Sequence, residues 1–244
     1  MSSLPRTGGT LPGVIVVTGT DTDVGKTVAT AAIAALLVGA GRSVAAYKPT
    51  QTGVAPGAPG DMAEVARLAA ADVAEGVRLL EPMAPRPAAA LEDEPLPTLS
   101  EHAAAIAALA RTHDHVLVEG AGGLLVELTG RGETLADLAM ALPGSGAVVV
   151  TRAALGTLNH TMLTREAVSH RGIDQLGVII GSWPSDPGPV ETTNREYLAD
   201  LSEGLLGAIP AGAPGLLPDV FRAEAPGWLP GLARLLSPQR LGTP

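Results

Sequence analysis

Between an apolar run, Val14 to Val17, and an alanine-rich stretch lies Gly19-Thr20-Asp21-Thr22-Asp23-Val24-Gly25-Lys26-Thr27. A glycine-rich turn that closes on Gly-Lys-Thr and opens a helix is suited to phosphate. Inward backbone N–H groups and the helix N-terminus hold anionic oxygens, the lysine reaches the terminal phosphates, and the threonine hydroxyl binds Mg²⁺. This loop departs from the usual pattern in two ways. Five residues rather than four separate Gly19 from Gly25, and Asp21 and Asp23 place carboxylates where anions should settle.

Four further stretches carry groups that could complete such a site. In "HVLVEGAGGLLVEL" a buried strand is expected to end in Glu119 and run into Gly120, Ala121 and Gly122. A carboxylate at the carboxyl end of a parallel strand suits a Mg²⁺ ion beside a triphosphate; its other reading is an exposed acid before a flexible turn. In "AAYKPTQTG", Lys48 is expected at a strand end, with Pro49 stopping the strand. It reads either as a second cation for phosphoryl transfer or as a solvated lysine. Asp61, directly after "VAPGAPG", is a helix N-cap or a second metal carboxylate. In "ALGTLNHTML", Leu155, Gly156, Thr157, Asn159 and His160 fall at a loop-to-helix junction whose N–H groups suit a carboxylate. His160 reads as a cap or packing residue, and His102, His113 and His115 show no ligand spacing.

The elements that must position these groups follow from hydrophobic pattern. Continuous apolar runs at Val14 to Thr18, Ser43 to Tyr47, His115 to Glu119, Ala147 to Thr151, Leu176 to Gly181 and Leu205 to Ile209 predict strands buried on both faces. Helices are predicted between them at Lys26 to Gly39, Asp61 to Ala71, Leu99 to Arg111, Leu158 to Arg171 and Val190 to Leu201, with Ser100 and Thr157 as N-caps. The fold class is therefore α/β, a doubly wound and mainly parallel sheet. Val54 to Gly60, Glu81 to Pro97 and the tail from Ala211 read as irregular. Residues 1 to 13 are expected to form a flexible extension and 14 to 244 a single domain.

Composition excludes several partners. A net charge of −9 without a basic stripe argues against nucleic acid. No apolar run approaches the roughly 20 residues that span a bilayer, and residues 1 to 13 lack the apolar core of a signal peptide. The chain has no cysteine, hence no disulfide framework or thiolate metal site. A cytoplasmic location is expected.

Taken in order, TGTDTDVGKT, YKPTQTG, Asp61, LVEGAGGLLVEL and LGTLNHTMLT resemble the dethiobiotin synthetase family over roughly Val14 to Ile209. The resemblance implies a P-loop fold, a homodimer, and an ATP-dependent carboxylation of 7,8-diaminopelargonate (7,8-diaminononanoate) with CO₂. It implies that Thr22 to Thr27 and Val28 bind nucleotide, with Glu119, Gly120, Ala121 and Gly122, and that Thr27, Asp61 and Glu119 hold Mg²⁺. Lys26 and Lys48 would stabilise the transferring phosphoryl group, with Thr22, Asp23, Lys48 and Thr52 against the diamine. Gly156, Thr157, Asn159 and Tyr197 would face the substrate's carboxylate from the partner subunit. Many relatives carry Glu at the position of Asp23 and a base-reading Asn where this chain has Gly181, followed by Ser182; Pro210, Ala211 and Gly212 would complete the base pocket. The missing Asn predicts that CTP or GTP competes with ATP.

Rival readings meet specific obstacles. A deviant P-loop ATPase switch needs a signature lysine where Asp21 stands, a GTP switch needs an Asn-Lys-x-Asp motif, and a glutamine-dependent amide-forming ligase needs a nucleophilic cysteine.

Overall fold

The computed structural model describes residues 11 to 236; the first ten positions of the expected N-terminal extension and the last eight of the tail lie outside it. Seven strands, β1 (Val14–Gly19), β2 (Val44–Gln51), β3 (Asp72–Arg78), β4 (His115–Gly123), β5 (Gly146–Thr151), β6 (Asp174–Trp183) and β7 (Leu205–Pro210), form one sheet in the order β3-β2-β4-β1-β5-β6-β7. Every pairing is parallel. The helices are α1 (Lys26–Gly39), α2 (Asp61–Ala69), α3 (Pro85–Glu92), α4 (Leu99–Ala110), α5 (Leu135–Met140), α6 (Thr157–His170), α7 (Pro189–Ala199), α8 (Pro218–Trp228) and α9 (Pro230–Leu236).

The continuous apolar strands serve two cores at once. Ile15 and Val17 of β1 join α1, α2 and α8 on one face, while Val16 joins Ile106 of α4, Leu135 and Leu138 of α5 and Val168 of α6 on the other. Alternate side chains of a strand point to opposite faces, so both must be apolar where helices cover both. Small residues let α1 lie close to the sheet: Ala29, Ala31, Ala32 and Ala34 are fully buried. Since β1 is central, its carboxyl end, with the loop into α1, sits between the ends of β4 and β5.

Several elements differ from the sequence expectation. β3 is an additional edge strand: half-exposed and carrying Asp72, Glu75 and Arg78, it lacks the apolar run of its neighbours. Strand β2 does not stop at Pro49 but continues to Gln51. Its pairing with β4 ends at Tyr47, so Pro49 falls where β2 has only β3 beside it, a position proline tolerates. Similarly, β4 runs past Glu119 to Gly123. α2 stops at Ala69. α3 and α5 are short helices, the first inside the stretch read as irregular, and the tail forms α8 and α9.

The cap of α4 is Thr98 rather than Ser100. Its hydroxyl accepts the Glu101 N–H while Glu101 accepts the Thr98 N–H at 2.7 Å, closing a capping box that satisfies two otherwise orphaned donors. At α6 the cap is Gly156, in the left-handed region at φ 91°, and Thr157 is the first helical residue.

Candidate active site

The loop between β1 and α1 divides into two halves. The first is tied to β5: the Thr20 N–H donates to the Val150 carbonyl at 2.9 Å, and the Thr20 and Thr151 hydroxyls meet at 3.3 Å. Asp21 turns away from the cradle. One carboxylate oxygen accepts the Thr22 N–H at 2.8 Å and the other accepts Arg152 at 2.7 Å. The Thr22 N–H, with Arg152 beside it, holds the Asp21 carboxyl below its ordinary pKa. This half accommodates the extra residue. Arg152, unmarked by any motif, is the partner that sequence reasoning missed.

The second half, Asp23 to Thr27, forms the cradle. Asp23 adopts the left-handed backbone region at φ 55° and Gly25 does so at φ 89°. Aspartate tolerates that region better than most residues, and glycine does so without strain. The Lys26 ammonium donates to the Asp21 carbonyl at 2.9 Å. Its burial lowers its pKa, with Glu119 acting in the opposite direction.

Lys48 enters from β2 and Glu119 from β4. The Lys48 ammonium donates to Glu119 Oε1 at 2.8 Å and is ion-paired with Asp61, the first residue of α2. Thr27 donates its hydroxyl to the same Glu119 oxygen at 2.9 Å. Lys48 and Glu119 are buried, whereas the Asp61 side chain is partly exposed. Burial alone would lower the Lys48 pKa; the charges of Glu119 and Asp61 outweigh it and hold the ammonium above its ordinary value. Asp61 is not an N-cap, since Gly60 holds that position. The Asp61 N–H instead donates to Gln51 Oε1 at 2.8 Å, which orients the start of α2.

A cavity of about 530 Å³ gathers these groups. Thr22, Asp23, Gly25, Lys26 and Thr27 line it from the loop, Lys48, Thr52 and Asp61 from the β2 side, and Glu119, Ala121 and Gly122 from β4. Gln51, Gly53 and Val54, not singled out from sequence, line it too. Gln51 lies inside the quoted "YKPTQTG", so its neighbours were the available signal. Val24 and Val28 pack into the core beneath the loop. Gly120 faces away, toward Leu135.

Two groups of expected residues lie apart from this cavity. Gly181, Ser182, Pro210, Ala211 and Gly212 gather at the ends of β6 and β7, where the Ala211 N–H donates to the Trp183 carbonyl at 2.8 Å. Ser182, Pro210, Ala211 and Gly212 are exposed, but Gly181 is buried against the loop. Gly156 at the cap of α6, Asn159 on α6 and Tyr197 on α7 are exposed. Thr157 is buried, and its hydroxyl donates to the Arg152 carbonyl at 2.7 Å.

The donor set Thr27, Asp61 and Glu119 fits a divalent cation. Glu119 Oε2 is buried without a hydrogen-bond partner, and Mg²⁺ is held by one or two carboxylates together with substrate phosphates.

A parallel sheet flanked by helices, with a Gly-Lys-Thr loop at the end of its central strand, defines a P-loop nucleotide-binding fold. Residues 14–214 match the family model described as an AAA domain. The cell division ATPase MinD of Pyrococcus furiosus shares this fold at TM-score 0.56 and 18% identity, covering 92% of this chain and 98% of that one. MinD from Pyrococcus horikoshii, complexed with Mg-ADP, gives TM-score 0.55 at 18% identity, covering 91% and 93%. Curated relatives are far nearer in sequence. ATP-dependent dethiobiotin synthetases from Rhodococcus jostii and Streptomyces avermitilis are 51% and 53% identical, each over 88% of this chain and over 94% and 91% of their own length. That of Mycobacterium avium is 49% identical over 90% of this chain and 99% of its own. The chain belongs to the dethiobiotin synthetase family, ATP-dependent ligases of biotin biosynthesis. Among the described residues no helix is long and apolar enough to cross a membrane.

Proposed function

We propose that this enzyme joins 7,8-diaminopelargonate and CO₂ into the cyclic urea of dethiobiotin, converting ATP to ADP and phosphate, with residues 14 to 244 acting as one P-loop domain in the cytoplasm. The observation that carries this reading is that one cavity holds two lysines, Lys26 and Lys48, together with Asp23. Two cations suit a transferring phosphoryl group; a carboxylate beside them suits a cationic diamine.

The chemistry has three parts. One substrate amine takes up CO₂ as a carbamate. A carbamate oxygen then attacks the γ-phosphorus, ADP leaves, and a carbamic-phosphoric anhydride results. The second amine attacks its carbonyl carbon, phosphate departs and the amine loses its proton. Backbone N–H groups of Asp23 to Thr27 hold the phosphates at the N-terminus of α1. Lys26 and Lys48 offset the charge that develops on the transferring group, and Thr22, Asp23 and Thr52 orient the diamine. Thr27, Asp61 and Glu119 would hold Mg²⁺, which neutralises phosphate charge when bound.

Gly156, Thr157, Asn159 and Tyr197 would complete the substrate site from the second subunit of a homodimer. Leu155, Met162 and Leu163 support such an interface, since they leave apolar side chains exposed at the start of α6 and along it. Gly181, Ser182 and Pro210 to Gly212 form the base pocket. Nothing in the charge pattern supports nucleic acid or a membrane as partner.

Replacing Lys48 with alanine tests the assignment. kcat should fall by about 100-fold or more with a much smaller change in nucleotide affinity. The reverse, with affinity lost and kcat kept, would remove Lys48 from the chemistry.

A further inference from the structure

Both carboxylates of the metal-binding set converge on Lys48. Its ammonium contacts Glu119 Oε1 at 2.8 Å and Asp61 Oδ2, and Thr27 donates to that same Glu119 oxygen at 2.9 Å. Glu119 is fully buried and Lys48 nearly so. Buried carboxylates require a counter-charge, and here the protein supplies it from its own chain.

We infer that Lys48 is the resident cation of the divalent-metal position, so that metal loading and lysine release are a single exchange. This rests on the reading of Thr27, Asp61 and Glu119 as metal ligands. The ammonium and a divalent ion cannot share the same carboxylate oxygens, because two cations a few ångströms apart in a poorly screened pocket repel strongly. Glu119 Oε2 is buried without a hydrogen-bond partner, so one acceptor of the set stays open to a cation. Asp61 is the solvent-facing end of the arrangement, its side chain 37% exposed against 5% for that of Lys48. Once displaced, Lys48 remains in the cavity it shares with Lys26 and Asp23, among the groups that would meet the phosphoryl donor and the diamine. The exchange delivers the lysine to the reaction space only when metal is present, and it makes metal binding weak until triphosphate oxygens contribute.

The test is a Mn²⁺ titration followed by electron paramagnetic resonance on the nucleotide-free protein, comparing wild type with Lys48→Met. The variant removes the charge and keeps much of the bulk. The exchange predicts Mn²⁺ binding about tenfold tighter or more in Lys48→Met, because a competing cation is gone. A folded variant that binds Mn²⁺ no tighter than wild type overturns it.

Should the variant fail to fold, wild-type protein carrying ¹⁵Nζ-lysine gives the answer by NMR. The Lys48 ammonium signal must move when Mg²⁺ is added to the complex with a non-hydrolysable ATP analogue, and a signal that stays in place contradicts the exchange. Glu119→Gln separates the two readings. If it retains wild-type affinity for Mn²⁺ with that analogue, the metal-site reading itself is wrong. If it loses that affinity while Lys48→Met gains nothing, only the exchange is wrong.

Discussion

Gly181, near the end of β6, lies so close to Val24 of the phosphate loop that a Cβ built on it would stand 2.0 Å from the Val24 carbonyl oxygen. The contact is reciprocal, since a Cβ on Gly25 would lie 2.7 Å from the Gly181 carbonyl oxygen. A side chain at 181 would therefore enter the loop backbone before it could reach a base. Glycine at this position lets β6 support the cradle from below. Gly181→Asn should force the loop outward, destabilise the protein by about 1–3 kcal/mol and raise the KM for nucleotide. Thermal denaturation and steady-state kinetics check this; an unchanged Tm with an unchanged KM would contradict it.

With glycine at 181, no side chain there reads the base edge. Discrimination between bases arises when a wrong base leaves buried polar groups unpaired, and the remaining candidates, Ser182 and Pro210 to Gly212, are exposed. CTP or GTP should support turnover with kcat/KM within about 100-fold of that for ATP. A purified enzyme that uses CTP more poorly than this would show that the base is read elsewhere.

The loop's anchorage to β5 depends on a buried hydroxyl. Thr151 Oγ1 meets Thr157 at 2.6 Å, Thr161 at 2.9 Å and Thr20 at 3.3 Å, linking the phosphate loop to the start of α6. Thr151→Val keeps the shape and leaves these hydroxyls short of a partner, at a cost of about 1–3 kcal/mol. Urea denaturation measures the loss. A change below about 0.5 kcal/mol would mean that the other threonines re-pair without it.

Much of the architecture was legible because its elements satisfy local and global demands together. Six strands announce themselves as continuous apolar runs because helices cover both faces. β3 does not, because an edge strand keeps Asp72, Glu75 and Arg78 near solvent. Pro49 misled for a related reason: it marks where β4 stops pairing, not where β2 ends. At the site, Lys26, Thr27, Lys48 and Glu119 stand in motifs and Asp61 follows from the family resemblance, and one cavity holds all five. What the motifs could not convey were relationships across elements. The pairing of Arg152 with Asp21 and the seating of Gly181 on Val24 depend on β5, β6 and the loop being brought side by side. The hold of Gln51 on Asp61 likewise joins the end of β2 to the start of α2.

In the proposed reaction the cavity of Lys26, Lys48 and Asp23 joins a diamine to CO₂ at the expense of a nucleoside triphosphate. Purified protein incubated with MgATP, ¹³C-bicarbonate and 7,8-diaminopelargonate, followed by mass spectrometry, decides it. Dethiobiotin carrying the ¹³C label should form in step with ADP and phosphate. Consumption of ATP with a different amine, and no labelled dethiobiotin from this one, would contradict it.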